Sequence, residues 1–114
     1  MLNLWSYRPT AIYAPEHAHL AGTPCTGAEA MARYVSVLRD GLIPEGAEVT
    51  FRAVPVVNVI AAEGESWDIV AINKYPSLES FKGMIESERY RVEALPHRLA
   101  GQEDTRLIMM EGVD

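Results

Sequence analysis

The chain has 114 residues, 48% of them hydrophobic and 23% charged, with a formal net charge of -6 at pH 7. That length suits a single domain with one core, here residues 1–114, and the composition excludes a disordered or fibrous chain. An acidic chain with ten lysines and arginines carries no basic stripe for a phosphate backbone or an anionic membrane surface, so neither nucleic acid nor membrane is expected as a partner. The single cysteine, Cys25, excludes an intramolecular disulfide and suits a reducing cytoplasm. Met1-Leu2-Asn3-Leu4-Trp5 opens with no basic segment and no long apolar stretch, so a signal peptide and a membrane helix are not expected, and a cytoplasmic location is.

Met1 to Tyr7 is apolar apart from Asn3 and Ser6 and reads as a first strand. Residues 8–26 hold three prolines and two histidines and read as a long irregular loop. Thr26-Gly27-Ala28-Glu29 then matches a capping box, and the helix behind it keeps Ala30, Met31, Tyr34, Val37 and Leu38 on one stripe, ending near Gly41. Val49 to Ala61 is β-branched and reads as a long strand; Pro55 cannot donate to a ladder, which puts this strand at a sheet edge. A turn at Glu63-Gly64-Glu65-Ser66 leads into a third strand, Trp67 to Tyr75. Ser77 caps a helix burying Phe81, Met84 and Ile85, and a break near Ser87 precedes a helical piece with Tyr90, Val92 and Leu95 that Pro96 should stop. Thr105 to Glu111 closes the chain as a fourth strand.

The order is βαββαβ, an α+β ferredoxin-like plan with an antiparallel sheet and two helices on one face. Its third strand is apolar at Trp67, Ile69 and Ala71 and also at Val70 and Ile72, so both faces of the sheet call for dry surroundings. Two helices cover one face, and a second copy of the chain is the economical cover for the other.

Several segments resemble one family. Trp67-Asp68-Ile69-Val70 with Asn73-Lys74-Tyr75-Pro76-Ser77, Phe81-Lys82-Gly83-Met84, Glu88-Arg89-Tyr90, His97-Arg98 and Glu103 to Ile108 are similar to the domain-of-unknown-function family thirteen-thirty, in the dimeric α+β barrel superfamily; Leu2-Asn3-Leu4 and Gly27-Ala28-Glu29-Ala30 with Arg33-Tyr34 fit its first half. The resemblance implies a homodimer whose two sheets face each other as a barrel, with the helices outside and a small-ligand pocket between helices and sheet. The superfamily includes cofactor-independent monooxygenases, heme-degrading monooxygenases, lactone isomerases and polyketide cyclases.

Asn3 is polar within an apolar strand, where an amide needs a partner or a ligand, and heme-degrading relatives place an asparagine on their first strand. His97-Arg98 is the most reactive-looking pair: the histidine as acid or base, the arginine as holder of an enolate or carboxylate oxygen, or, in the structural alternative, as partner of Glu103 or Asp104. Trp67, Tyr75 and Tyr90 are candidate ligand-binding walls, each with one polar handle. Asp68 reads as a turn or ion-pair residue. Glu16-His17-Ala18-His19 with Cys25 matches no compact zinc pattern, so no metal is expected, and no cofactor; Met109 and Met110 read as core filler. The combined reading is a cofactor-independent enzyme of monooxygenase, isomerase or cyclase type on a small organic substrate. The alternatives are a non-catalytic small-molecule-binding or stress-related module and a heme-degrading monooxygenase, and whether the chain is an enzyme at all is left open by its residues.

Overall fold

The structure, a computed structural model, describes residues 1–113. Strands β1 (Leu2–Tyr7), β2 (Glu48–Ala53), β3 (Ile69–Lys74) and β4 (Gln102–Ile108) form one antiparallel sheet in the order β2-β3-β1-β4. Helices α1 (Ala18–Ala21), α2 (Gly27–Arg39), α3 (Leu78–Ile85) and α4 (Leu95–Gly101) complete an α+β fold consistent with the ferredoxin-like plan. In the β1–β3 and β1–β4 ladders Asn3 stands opposite Ala71 and Leu107, so strand alternation turns Asn3, Trp5, Ile69 and Ala71 to one face and Leu2, Leu4, Val70 and Ile72 to the other. The first face meets the core of Met31, Tyr34, Phe81, Met84, Tyr90 and Ala94.

The helix starts follow local chemistry. The Thr26 hydroxyl accepts from the Glu29 amide at 3.1 Å, and the Glu29 carboxylate accepts from the Thr26 amide at 3.2 Å. Ser77 and Ser80 build the same reciprocal cap for α3 with a hydroxyl in the place of a carboxylate. Gly41, at φ +91°, turns the chain out of α2 in the left-handed region.

Four expectations need correction. The closing strand spans Gln102–Ile108 and not Thr105 to Glu111, so that Met109 and Met110 lie past it and are exposed instead of filling the core. The second strand stops at Ala53 instead of running to Ala61, because Pro55 has no N–H for a ladder; it does lie at the edge, but Val54 to Ile60 follow as an exposed apolar segment outside the sheet. The loop of residues 8–26 is not wholly irregular, since a 3₁₀ turn at Pro15–His17 and the single turn of α1 stand within it. Pro96 stops nothing. A π turn at Tyr90–Ala94, closed by the Leu95 amide on the Tyr90 carbonyl, runs straight into α4, and Pro96 takes its first turn, where no N–H is missed. His97 and Arg98 therefore sit inside a helix.

The end of β1, the start of α2 and the end of α4 meet at two glycines. The Arg8 amide donates to the Gly101 carbonyl at 2.8 Å and the Gly27 amide to the Arg8 carbonyl at 3.0 Å. A Cβ on Gly27 would strike the Arg8 carbonyl and come within 2.7 Å of the Gly101 oxygen; one on Gly101 would come within 2.6 Å of the Gly27 oxygen. Gly27→Ala and Gly101→Ala should each lower unfolding stability in urea by about 3 kcal/mol, the upper end for overpacking. Gly83→Ala, in α3 with nothing within 4 Å of its Cβ, should raise stability by about 0.5–1 kcal/mol through helix propensity. Equal effects at all three positions would contradict the close approach.

Candidate functional site

Between the sheet and the helices lies a cavity of about 190 Å³. Ile69 and Ala71 of β3 and Phe81 and Met84 of α3 give it apolar walls, and Trp5 of β1 packs edge-on against Tyr34 of α2, with ring centroids 6.2 Å apart. Asn3, Tyr34, Tyr90 and Arg98 converge on it, with Asn73 and Tyr75 beside them and the exposed Arg39, Glu48 and Arg52 at its edge.

Each is placed by its element. Asn3 follows the period of β1 and is 7% exposed; its amide nitrogen donates to the Met1 carbonyl over a long 3.4 Å. Tyr34 lies on the buried stripe of α2 with Ala30 and Met31. Tyr90 opens the π turn, whose extra residue per turn shifts the register so that Arg98, eight positions on, reaches back to it. The Arg98 Nη1 donates to the Tyr90 hydroxyl at 3.2 Å and its Nε to the Gln102 Oε1 at 3.1 Å, while the guanidinium carbon sits 6.0 Å from the centre of the Tyr34 ring. The Tyr34 and Tyr90 hydroxyls lie 2.9 Å apart. Burial, and then the neighbouring Tyr90, pushes the Tyr34 phenol far above its usual pKa, so it stays a neutral donor and acceptor. Burial also raises the Tyr75 phenol at the cavity wall.

Of the residues singled out in the sequence, Asn3, Tyr75, Tyr90 and Arg98 thus surround one cavity. His97 and Trp67 do not. His97 is next to Arg98 on α4 and so faces about 100° away around the helix. Its Nδ1 accepts from the Tyr13 hydroxyl at 2.6 Å; that hydroxyl in turn accepts from the Arg33 Nη1 at 3.3 Å, and the two rings meet edge to face. His97 therefore ties the loop after β1 to α4, and the common site expected for it with Asn3 and Tyr90 is divided by the helix. Trp67 precedes β3, donates from Nε1 to Glu65 at 2.9 Å and lies under the Arg106 guanidinium at 5.3 Å. Neither Glu103 nor Asp104 pairs with Arg98: Asp104 holds Arg106 at 2.6 Å. Asp68 accepts from the Tyr7 amide at 2.7 Å, a backbone role close to the turn role expected of it. Among the described residues no three His, Cys, Asp or Glu side chains group as metal ligands, and no helix is long and apolar enough to cross a membrane.

Sequence reading missed Trp5, Tyr34, Arg39 and Arg52 as cavity residues. Trp5 was within reach, since it shares the strand face of Asn3 two residues on. Arg52 becomes a neighbour of the cavity only through the β2–β3 pairing that sets it against Ala71, and Arg39 because α2 ends beside that edge. A second hollow of about 580 Å³, near Met109, Met110 and Ile72, is a more open groove on the uncovered side of the sheet, with Thr50, Lys74, Ser77 and Glu111 along it.

Comparison with known protein families finds no match, and comparison with curated proteins finds none. Among solved structures, the methylated RPA0582 protein is 37% identical, with 99% of this chain and 78% of that chain covered and a TM-score of 0.80. A second crystal structure, of the RPA0582 protein of unknown function from Rhodopseudomonas palustris, matches at 37% identity over 99% of this chain and 80% of that one, with a TM-score of 0.79. The chain belongs to the family of RPA0582. That kinship extends over nearly the whole chain, cavity and loop included, and attaches no activity to either.

The His97 contact has a pH signature. Burial first, and then the Arg33 cation, lowers the pKa of His97 below its usual value of 6.5. The fold thus favours the neutral ring, so stability is complete above about pH 6.5 and falls as the unfolded chain takes up the proton first. Thermal midpoints between pH 7 and pH 5 should decline in the native protein, and His97→Asn, which keeps an acceptor near Nδ1, should flatten that decline. The lowered carboxyls of Glu29 and Asp104 titrate further down and leave this window clear.

Proposed function

We propose that the chain is a cytoplasmic small-molecule-binding protein that works as a homodimer of the α+β barrel kind, each subunit holding one small organic ligand between its sheet and its helices. The observation that carries the reading is the convergence of Asn3, Tyr34, Tyr90 and Arg98 on a cavity whose inner walls, Ile69, Ala71, Phe81 and Met84, are apolar and come from both layers. Few polar groups in an apolar hollow are the usual makings of a ligand pocket. Its size suits a single ring with a small head group, given that an engineered apolar cavity of about 150 Å³ takes benzene.

The homodimer rests on the other side of the sheet. The described residues span only 16 Å in their thinnest direction, and the face opposite the helices presents Leu2, Leu4, Val70 and Ile72, half-buried, flanked by the exposed Phe51 and Ile108. Uncovered apolar surface of this kind marks an interface. The resemblance to family thirteen-thirty and to the dimeric α+β barrel superfamily supports the same arrangement.

A second reading, a cofactor-independent enzyme of monooxygenase, isomerase or cyclase type, is favoured by one feature: Arg98, Tyr90 and Asn3 can donate together to a substrate oxygen that gains negative charge. Among the described residues no histidine lines the cavity, and burial raises the Tyr34 and Tyr75 phenols so that they stay protonated; catalysis there would work through oxyanion stabilisation, with the proton moved by the substrate or solvent. The heme-degrading alternative draws no support from a cavity of this volume without a lining histidine.

Light scattering on a gel-filtered sample should give about twice the 12.6 kDa chain mass at micromolar concentration, and Ile72→Asp on the uncovered face should yield monomer. Native mass spectrometry after exposure to a small-molecule extract should show one ligand per chain. Ala71→Leu, which fills the cavity, should remove that ligand and leave the dimer intact. A folded native monomer would sink the barrel reading, and ligand retained undiminished in Ala71→Leu would sink the pocket.

A further inference from the structure

The cavity is cationic in a protein that is not. The chain has 16 acidic and 10 basic side chains, yet three arginines, Arg39, Arg52 and Arg98, line this hollow against one carboxylate, Glu48. Among the described residues none of the three forms an ion pair, the salt bridges belonging to Arg89 and Arg106. The arginines are not spread evenly. Arg39, Arg52 and Glu48 are exposed, with Ile43 and Val49 beside them, and together they frame an entrance between the end of α2 and the edge strand β2. Arg98 is half-buried deeper in, and its Nη2 has no partner among the described residues, since its bonds run from Nη1 to Tyr90 and from Nε to Gln102. A guanidinium at a cavity wall with N–H donors left free and no carboxylate beside it is open to an anionic oxygen.

Nearby polar atoms extend the pattern. Trp5 Nε1 and Asn73 Oδ1 are buried on cavity-lining residues without a partner, a donor for an anionic oxygen and an acceptor for a hydroxyl. Ile69, Ala71, Phe81 and Met84 offer the same ligand an apolar body's worth of wall.

We infer that the ligand is a small organic monoanion with a ring-sized apolar body, a carboxylate or enolate whose charged oxygens meet Arg98 while Arg39 and Arg52 draw it in at the mouth. The inference rests on the pocket reading above and adds the charge of the occupant. A fork of guanidinium donors suits the two oxygens of a carboxylate better than a neutral amide. Two exposed cations beside an opening raise the local concentration of an anion, an effect that salt weakens.

The test is calorimetric titration at low salt with matched probes, benzoate and 4-hydroxybenzoate against benzamide and 4-hydroxybenzamide. The carboxylates should bind about tenfold or more tightly than the amides, the scale of one charge-assisted hydrogen bond. Arg98→Gln should erase that preference, bringing the carboxylate-to-amide affinity ratio to about one, and the double variant Arg39→Gln with Arg52→Gln, both exposed, should weaken carboxylate binding and reduce its salt dependence. Amides binding as well as carboxylates would overturn the inference and leave the pocket standing. A carboxylate preference unchanged in the double variant and in Arg98→Gln would overturn it too; if Arg98→Gln fails to fold, the double variant decides. Failure of all four probes to bind would overturn it together with the pocket.

Discussion

Everything in the helical layer is referred to the place where the Gly27 and Gly101 backbones touch. Hydrogen bonds from Arg8 to Gly101 and from Gly27 to Arg8 join the exit of the first strand to the beginning of one helix and the end of another, and no side chain fits between them. Tyr34 lies two turns beyond Gly27 and Arg98 one turn before Gly101, so the distance between phenol and guanidinium is inherited from that crossing. Close packing leaves such an arrangement little freedom to adjust. The cavity lies between that helical layer and the sheet, with Phe81, Met84 and Tyr90 on its helical side.

Much of this was legible in the sequence, and the parts that were not share a cause. Strand β1, the capped starts of α2 and α3, the central position of β3 and the edge position of β2 follow from apolar period, hydroxyl caps and a proline without an N–H, all local signals. The errors arose where a local signal had two structural solutions. Pro96 ends a helix or begins one, and the π turn before it, which no composition announces, decides for the second. That one choice carries His97 to one side of α4 and Arg98 to the other. The Val54 to Ile60 run has strand-forming residues, but a strand needs a neighbour as well as a propensity, and beyond Pro55 the ladder to β3 is gone.

The cavity residues divide in the same way. Asn3 stood out because a polar group in an apolar strand is conspicuous, Tyr75 and Tyr90 because an aromatic wall with one polar handle suits a pocket, and Arg98 because it follows a histidine. Arg39 and Arg52 look like ordinary surface arginines until the end of α2 and the paired edge strand β2 bring them to one opening. Their significance lies in what they lack, a carboxylate partner, and that is a property of three dimensions. His97 is the converse: reactive in the sequence, occupied in the structure by a tyrosine from the loop it helps to hold, and in contact with no other candidate but its neighbour in the helix.

The account stands on the cavity between the layers, and not the larger open groove on the far side of the sheet, being where a ligand goes. Methionine methyl groups report on both places, because Met84 lines the first while Met109 and Met110 line the second. In a protein carrying ¹³C-methyl methionine, saturating benzoate should move the Met84 resonance and leave those of Met109 and Met110 where they were. Movement of Met109 and Met110 with Met84 unmoved would contradict the account.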